Sequence, residues 1–218
     1  SLSHDLRTPL TSLLGYLDAL EEGVPKAEEK DRYLATARKK AYDLKELVDA
    51  LFDWFKIDAG EMLLSPSPQD ICECSREILI DFLPVFARRG IEPSAEIPDE
   101  AYIVPLDPTA FRRILTNLLA NALEHSGCGR VTLRLTSDGR SAALAVEDDG
   151  QGVEPGKLPH IFDRLYKADP SRNRRGSGLG LSIAKELTER QGGRIEAESR
   201  PGRTVFTVTF PLTGEKTM

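Results

Sequence analysis

Leu6, Leu10, Leu13, Leu17 and Leu20 recur at spacings of four, three, four and three. That is the a/d seam of one helix. Gly23 and Pro25 interrupt the pattern,. It resumes with Leu34, Ala37, Ala41, Leu44, Val48, Leu51 and Phe55 and stops at Ala59-Gly60,. Two heptad helices joined by a short loop predict an antiparallel hairpin. A hairpin of this size cannot bury both seams by itself. The expected solution is a homodimer closing a four-helix bundle. The alternative is that the helices pack on the rest of the chain.

After Gly60 the period changes. Residues 61–70, with two Ser-Pro steps, predict a linker running into an edge strand,. Residues 70–89 read as a helix, and 91–97 and 101–106 as short strands. Asp107-Pro108 opens a helix that runs to about Ser126,. Residues 131–136 and 141–147 alternate as strands around the turn Ser137-Asp138-Gly139,. A helix over 179–191 stops at Gly192-Gly193, and strands over 194–199 and 204–210 close the chain. Helices alternating with antiparallel strand pairs predict a two-layer α/β sandwich with its helices on one sheet face. The whole is α+β: a hairpin over 1–60, a linker and first strand over 61–70, and a larger domain over 71–218.

Composition narrows the class. Of 218 residues, 40% are hydrophobic and 29% charged, which excludes a disordered chain,. The net charge of −6 argues against a general nucleic-acid binder,. Three cysteines exclude a disulfide scaffold,. Cys72 and Cys74 have no second pair to complete a zinc site, so they read as reduced thiols of a cytosolic protein. No run approaches the 18 apolar residues of a membrane span, and no signal peptide is evident. The chain opens at Ser1 in mid-pattern, which reads as a fragment of something longer.

Four groups of residues could carry chemistry. On a helical wheel His4 lies roughly 200° from the leucine seam, so it faces outward. Asp5 flanks it, and Thr8 lies one turn on. A carboxylate that holds one ring N–H leaves the other imidazole nitrogen nucleophilic. Pro9, costly inside a helix at ~3 kcal/mol, follows one turn later. Asn117 and Asn121 stand at i and i+4 beside an apolar stripe of Ile114, Leu115, Leu118 and Ala122. Their amide oxygens could ligate a hard cation together with phosphate, or be ordinary hydrogen-bonded amides. Asp148-Asp149-Gly150-Gln151-Gly152 follows a strand. A carboxylate there can accept a hydrogen bond from an amino group such as that of adenine, although Asp-Gly turns are common. Gly176-Ser177-Gly178-Leu179-Gly180 opens a helix, where backbone amides attract phosphate. Arg164, Lys167, Arg172, Arg174 and Arg175 precede it and suggest a flexible lid over an anion.

Taken together, these pieces resemble the catalytic core of a sensor histidine kinase. Residues 3–10 (Ser-His-Asp-Leu-Arg-Thr-Pro-Leu) are similar to the phosphoacceptor box, and Asn117 to Ser126 resembles the asparagine box. Asp148 to Gly152 resembles the first glycine box. Ile161-Phe162-Asp163-Arg164-Leu165-Tyr166 resembles the phenylalanine box, and Gly176 to Leu181 the second glycine box. All five in this order are far more specific than any one of them.

The resemblance implies an ATP-binding domain of the GHKL type, with a mixed and mostly antiparallel sheet, and ATP and Mg²⁺ as cofactors. His4 would take the γ-phosphoryl group, with Asp5 as general base. Asn121 would be the metal ligand, with Asn117 in the same site. Asp148 would receive the adenine amino group, in a pocket shaped by Gly150 and Gly152. Gly176, Gly178 and Gly180 would line the phosphate lid. His125, Phe162, Arg164, Tyr166, Lys167, Ser177, Leu179 and Thr204 complete the nucleotide-contacting set, His125 without a role of its own. His160 is expected to be merely solvated or hydrogen-bonded.

The phosphohistidine would donate to an aspartate of a response regulator receiver domain. Thr8 would position water for a phosphatase reaction on that regulator. No nucleic acid is implied. A membrane enters only through segments absent from this chain, which would be the cytoplasmic portion of a bacterial membrane sensor.

Two positions depart from the family pattern. Glu124 stands where the family often has Lys or Arg near the phosphates. Pro201-Gly202-Arg203 lacks a glycine usual in the last turn, which predicts a shorter turn. A non-catalytic dimeric scaffold that binds ATP is the competing reading. A chaperone- or topoisomerase-type ATPase is disfavoured, because its hydrolytic carboxylate would sit near Asn117, an amide here. Because His4 and the nucleotide lie on different domains, the linker near residues 58–66 is expected to bend.

Overall fold

The computed structural model describes residues 2–164, 166 and 178–213, and for residues 2–5, 46, 53, 58 and 125 the course of the backbone alone. Helix α1 (Leu2–Glu21) continues through Pro9. That proline has no N–H, so the carbonyl one turn earlier receives no helical hydrogen bond. The helix ends on Gly23 at φ +68°, with Gly23 N–H on the Leu20 carbonyl and Val24 N–H on the Ala19 carbonyl. This left-handed closure turns the chain back into α2 (Lys30–Asp58),. Tyr16 meets Tyr33 edge-on, 5.3 Å between ring centroids, and staples the hairpin near its loop,.

Within one chain only part of the predicted seam is covered. Of the expected a/d set only Ala37 is buried among the described residues, while Leu10, Leu17, Leu34 and Phe55 stay exposed; the other buried positions of α2, Leu47, Ala50 and Ile57, lie off the predicted seam. A single partner helix covers one stripe, and the remainder of each apolar face is left over.

The second half is a sandwich. A five-stranded sheet runs β2 (Glu92–Glu96), β4 (Arg130–Ser137), β5 (Ser141–Asp148), β7 (Arg203–Pro211) and β6 (Arg194–Arg200). Among the described residues, only the β2–β4 pairing is parallel. The strands predicted over 91–97 and 101–106 both form but do not join each other. The first lies beside β4, while β3 (Ile103–Leu106) pairs antiparallel with β1 (Ser67–Asp70) in a separate two-stranded sheet. Between β6 and β7, Arg200 pairs directly with Arg203, so the turn is the two residues Pro201-Gly202, short as predicted.

Helices α3 (Ile71–Arg89), α4 (Pro108–His125) and α5 (Gly180–Arg190) form the other layer. Ile114, Leu115, Leu118 and Leu119 of α4 are fully buried, together with Phe206 and Phe210 of β7. At roughly 1.5–3 kcal/mol for each large apolar side chain removed from water, this layer contact dominates the stability. Asp107 caps α4 by accepting the Ala110 N–H at 2.9 Å,. Its other oxygen accepts the Ser65 N–H of the linker at 3.0 Å. Burial alone would raise this carboxyl, but the amides of Ser65, Ala110 and Thr109 hold it below the ordinary value,.

The linker is tied at both ends. Gly60 closes α2 at φ +70°, with Glu61 N–H on the Lys56 carbonyl at 2.9 Å. Ile57 is buried in the same apolar cluster as α4 and α5. The Arg190 guanidinium at the end of α5 donates to the Ile57 carbonyl.

Candidate nucleotide site and phosphoacceptor helix

Strand β5 delivers Asp148 to the sheet end, where its side chain is 2% exposed. Asp148 lies opposite Thr204 in the β5–β7 register, so the two side chains share a face,. Thr204 is itself buried and shares a 2.8 Å hydrogen bond with Ser199. Asp148 Oδ1 accepts the Gly150 N–H at 3.0 Å.

Burial pushes the Asp148 carboxyl up to about 6. The Gly150 amide and the Ser126 hydroxyl pull it down, while Asp149 and Glu147 push it up,. A carboxylate held in this way is an acceptor waiting for a donor. Neighbouring Asp149 does different work, because its Oδ1 accepts the Gly129 and Arg130 amides and pins the next strand.

The glycines of this turn are required by space. Gly152 has φ +80°, and a Cβ there would lie 2.5 Å from the Arg200 carbonyl,. The Pro201-Gly202 turn rests on the same loop through Gly202 N–H on the Gly150 carbonyl, 2.8 Å. Gly150 is closed off by Ser126, with which a Cβ would collide at 2.5 Å. From the sequence, Ser126 reads as the end of a helix and of the stretch that resembles the asparagine box. Its contacts with the Asp148 turn run between distant segments, and no local pattern announces them.

Asn117 and Asn121 lie on α4, one turn apart and half-buried, at the edge of its apolar stripe. Asn117 Nδ2 is buried and has no hydrogen-bond partner among the described residues. Gly180 opens α5 directly beside it: a Cβ on Gly180 would lie 3.5 Å from Asn117 Oδ1. Gly178 takes φ +71°, and among the described residues no side chain caps the helix start. The N-cap residue, Leu179, has no polar side chain to accept the first-turn amides of α5,. An uncapped helix start beside an unpartnered buried amide suits a phosphate chain. Two neutral amide oxygens also suit Mg²⁺, which takes much of its coordination from phosphate and water. The fit to an Mg²⁺-nucleotide is therefore good.

The remaining predicted residues divide. Leu179 is buried. Phe162 packs edge-on against Phe206, 6.2 Å between centroids, as part of the core. Tyr166 lies against His160 at 5.8 Å, and His160 Nδ1 is 2.8 Å from Asp163 Oδ2. The Arg164 guanidinium lies 5.2 Å from the Trp54 ring centroid of α2, a contact to the helical hairpin,. Lys167, Arg172, Arg174, Arg175, Gly176 and Ser177 lie outside the described residues. His4 and Asp5 are within α1 and His125 ends α4, but their side chains are outside them too. Thr8 is exposed on α1.

Glu124 has its carboxylate 3.7 Å from Arg89 Nη2, and Arg89 also donates to the Leu123 carbonyl. The acid at the departing family position is thus engaged by α3. Cys72, Cys74 and Cys128 are free thiols. Burial first, then the Asp70 carboxylate, pushes the Cys72 thiol up to about 11.

Comparison with known proteins agrees with the geometry. Residues 106–214 match the histidine kinase-, DNA gyrase B- and HSP90-like ATPase family, and residues 1–60 match the His Kinase A phospho-acceptor domain. Sensor histidine kinase YcbM of Bacillus subtilis is 34% identical over 216 residues, which cover 96% of this chain and 69% of YcbM. The chain belongs to the sensor histidine kinases.

Of longer curated kinases in the family, the chain spans as little as 18% of the length. The kinase fold superposes on full-length ShkA, solved in complex with AMPPNP, at a TM-score of 0.73 and 28% identity. That match covers 97% of this chain and 45% of ShkA. It also superposes on ThkA, solved in complex with the response regulator protein TrrA, at a TM-score of 0.80 and 22% identity, covering 98% of this chain and 60% of that one. This second likeness is one of fold. Among the described residues, no helix is long and apolar enough to cross a membrane.

Proposed function

We propose that this kinase autophosphorylates His4 from Mg²⁺-ATP and passes the phosphoryl group to an aspartate of a response regulator receiver domain. The observation that carries the nucleotide half is the pairing of a buried, hydrogen-bonded Asp148 with the unpartnered Asn117 amide beside the uncapped start of α5. The first fits the base edge and the second the phosphates.

In this reading Asp5 accepts one ring proton of His4, and the free ring nitrogen attacks the γ-phosphorus. The bond to the bridging oxygen breaks, and ADP leaves with that electron pair. Asn121, with Asn117 beside it, would hold Mg²⁺, which would supply charge neutralisation at the phosphates. The chain supplies position and electrostatics, which is most of what phosphoryl transfer requires. In the second step the phosphorus–nitrogen bond breaks as a receiver carboxylate takes the group. ThkA is paired with a regulator in its own complex, which supports a partner of that class here. In the same reading Thr8, exposed one turn after His4, orients a water molecule for hydrolysis of the regulator's acyl phosphate.

The exposed seam leucines support a homodimer. The division at residues 60 and 70, and attachment to a membrane through segments outside this chain, complete the reading.

The test is incubation with Mg²⁺ and γ-labelled ATP beside His4→Gln. The expected label is acid-labile, base-stable and absent from the variant, while ATP binding persists. Label retained in His4→Gln would overturn the assignment. ATP binding without any label in the parent would favour the scaffold reading.

A further inference from the structure

The sandwich closes its core within one chain, yet α3 is apolar on two sides. Ile71, Ile78, Leu79 and Phe86 are buried in that core. Ile80 and Leu83 face the other way, 61% and 43% exposed. With Pro84 and Ala87, both exposed, they form one stripe about 100° wide, at about 100° per residue. Pro84 stands inside the helix, where it removes a backbone hydrogen bond,. Because it is exposed, packing within the chain offsets little of that loss.

Charge frames the stripe. Glu73, Asp81 and Arg89 are engaged within the chain, by Arg76, Arg112 and Glu124. Glu77 and Arg88 are exposed and have no hydrogen bond or ion pair among the described residues. They stand about three turns apart on the same margin of the stripe, the acid before its apolar part and the base after it.

We propose that this face pairs with the same face of a second copy of the chain, the two α3 helices antiparallel about a two-fold axis near Leu83. Such an axis keeps each margin on its own side. Glu77 of one chain then comes within side-chain reach of Arg88 of the other, twice, and Ile80 lies near Ala87 across the axis. Parallel packing would put the two charges on opposite margins and leave them unpaired. The charge pattern therefore fits a copy of this chain in one orientation. The stripe is small beside the ~1,200 Å² or more of a stable interface, so it does not hold two lone chains together at micromolar concentration. The proposal rests on the hairpin dimer, which presents the stripe twice, so that the contact links dimers into larger assemblies.

Sedimentation equilibrium of the whole chain from about 5 to 500 µM tests this, beside Ile80→Lys, Glu77→Arg and Arg88→Glu. At the lowest concentration the mass should be that of the hairpin dimer. A monomer there overturns the dimer on which the assembly rests. The parent's mass should climb above the dimer across the range. Ile80→Lys and each charge reversal should raise the concentration required by about tenfold or more. An equimolar mixture of Glu77→Arg and Arg88→Glu should recover the assembly, because each chain's like pair then meets the other's opposite pair. That recovery also shows that the reversals fold. Mg²⁺-ATP binding should be the same in all. A parent that stays dimeric throughout overturns the proposal. So does growth that Ile80→Lys leaves intact, which puts the contact elsewhere, or a mixture no better than its components, which denies the antiparallel pairing.

Discussion

Leu10, Leu14, Leu17, Leu34, Phe52 and Phe55 of the hairpin stand 42–62% exposed, whereas Phe86, Phe111, Phe206 and Phe210 of the sandwich are at most 1% exposed. Both regions are built from similar apolar side chains. They differ in where the covering surface comes from. A sheet with three helices on one face closes its core within the chain. Two helices cannot, since each offers one stripe to the other and keeps the rest. The sandwich is therefore complete within one chain, and the hairpin is half of an interface. The division suits the proposed chemistry. The nucleotide site needs rigid placement, and the phosphoacceptor helices need a surface that partners can share.

The largest expected effect strikes the unfinished half. Replacing Leu14 and Leu17 together by glutamate removes four leucines from a symmetric interface, about 6 kcal/mol or more at ~1.5–3 kcal/mol each. The expected outcome is a monomer by sedimentation, with hairpin helicity lost and Mg²⁺-ATP affinity unchanged. A variant that stays dimeric would mean these leucines do not form the interface.

Next in size is Phe111→Ala, in the closed half. Phe111 is fully buried and packs edge-on against Phe210 at 6.3 Å. Its truncation should cost about 3–5 kcal/mol. Calorimetry should show the transition of the ATP-binding region falling, with ATP binding lost at the temperature where that region melts. Dimer formation by the hairpin should survive.

A smaller effect separates stability from function inside the sandwich. The Asp148 carboxyl titrates near 6 in the folded chain against an ordinary 3.8. The folded state holds this proton more tightly, so stability falls as pH rises from about 4 to 6 and is level above. Asp148→Asn should therefore stabilise the free protein at pH 7 by about 2–3 kcal/mol, since each pH unit between the two values is worth ~1.4 kcal/mol. That gain should vanish below about pH 4. ATP binding should move the other way. In the parent, affinity should be flat above pH 6 and fall about tenfold per pH unit below it, as the acceptor is protonated. In the variant, affinity should be lower throughout and lack this limb. Melting temperature and nucleotide titrations across pH 4–8 check both. An unchanged acid limb in the variant would assign the titration to another group.

The same contrast explains what can be read without coordinates. Periodic elements are legible. The leucine and alanine spacings place α1 and α2, and alternation places β4 and β5, because those signals are local. The Asp148-Gly150-Gly152 turn is legible for a similar reason, since it needs carboxylate and glycines at fixed offsets. What a residue faces is not. Leu34 and Phe55 fit the heptad as well as Ala37 does, but the three differ in burial once one partner helix is laid down. Glu124, expected near the phosphates, reaches Arg89 of α3. Arg164, expected in the lid, lies over Trp54. The parallel partner of β2 is β4, pairing Glu92 with Arg130 across β3 and α4. Each of these depends on contacts between segments far apart in the chain.

The smallest predicted effect tests the seam between the two regions. Arg190 donates to the Ile57 carbonyl, near the end of α2, and is also held by Glu186 at 2.9 Å. Ile57 is buried among the sandwich residues. The end of the hairpin is thus docked on α5, whose opposite end starts at Gly180 beside Asn117. Arg190→Ala removes the guanidinium and leaves Ile57 in place. The expected cost is about 1 kcal/mol, the scale of one hydrogen bond, confined to the linker. Amide exchange at residues 59–66 should quicken severalfold, with ATP affinity unaltered. If autophosphorylation requires the ATP-binding region to leave this docked position, its rate should rise in Arg190→Ala. It should fall when the linker is stiffened, again without change in ATP binding. A rate that drops with Arg190→Ala would instead make the docked arrangement the productive one, with Arg190 holding the two regions in their reacting register.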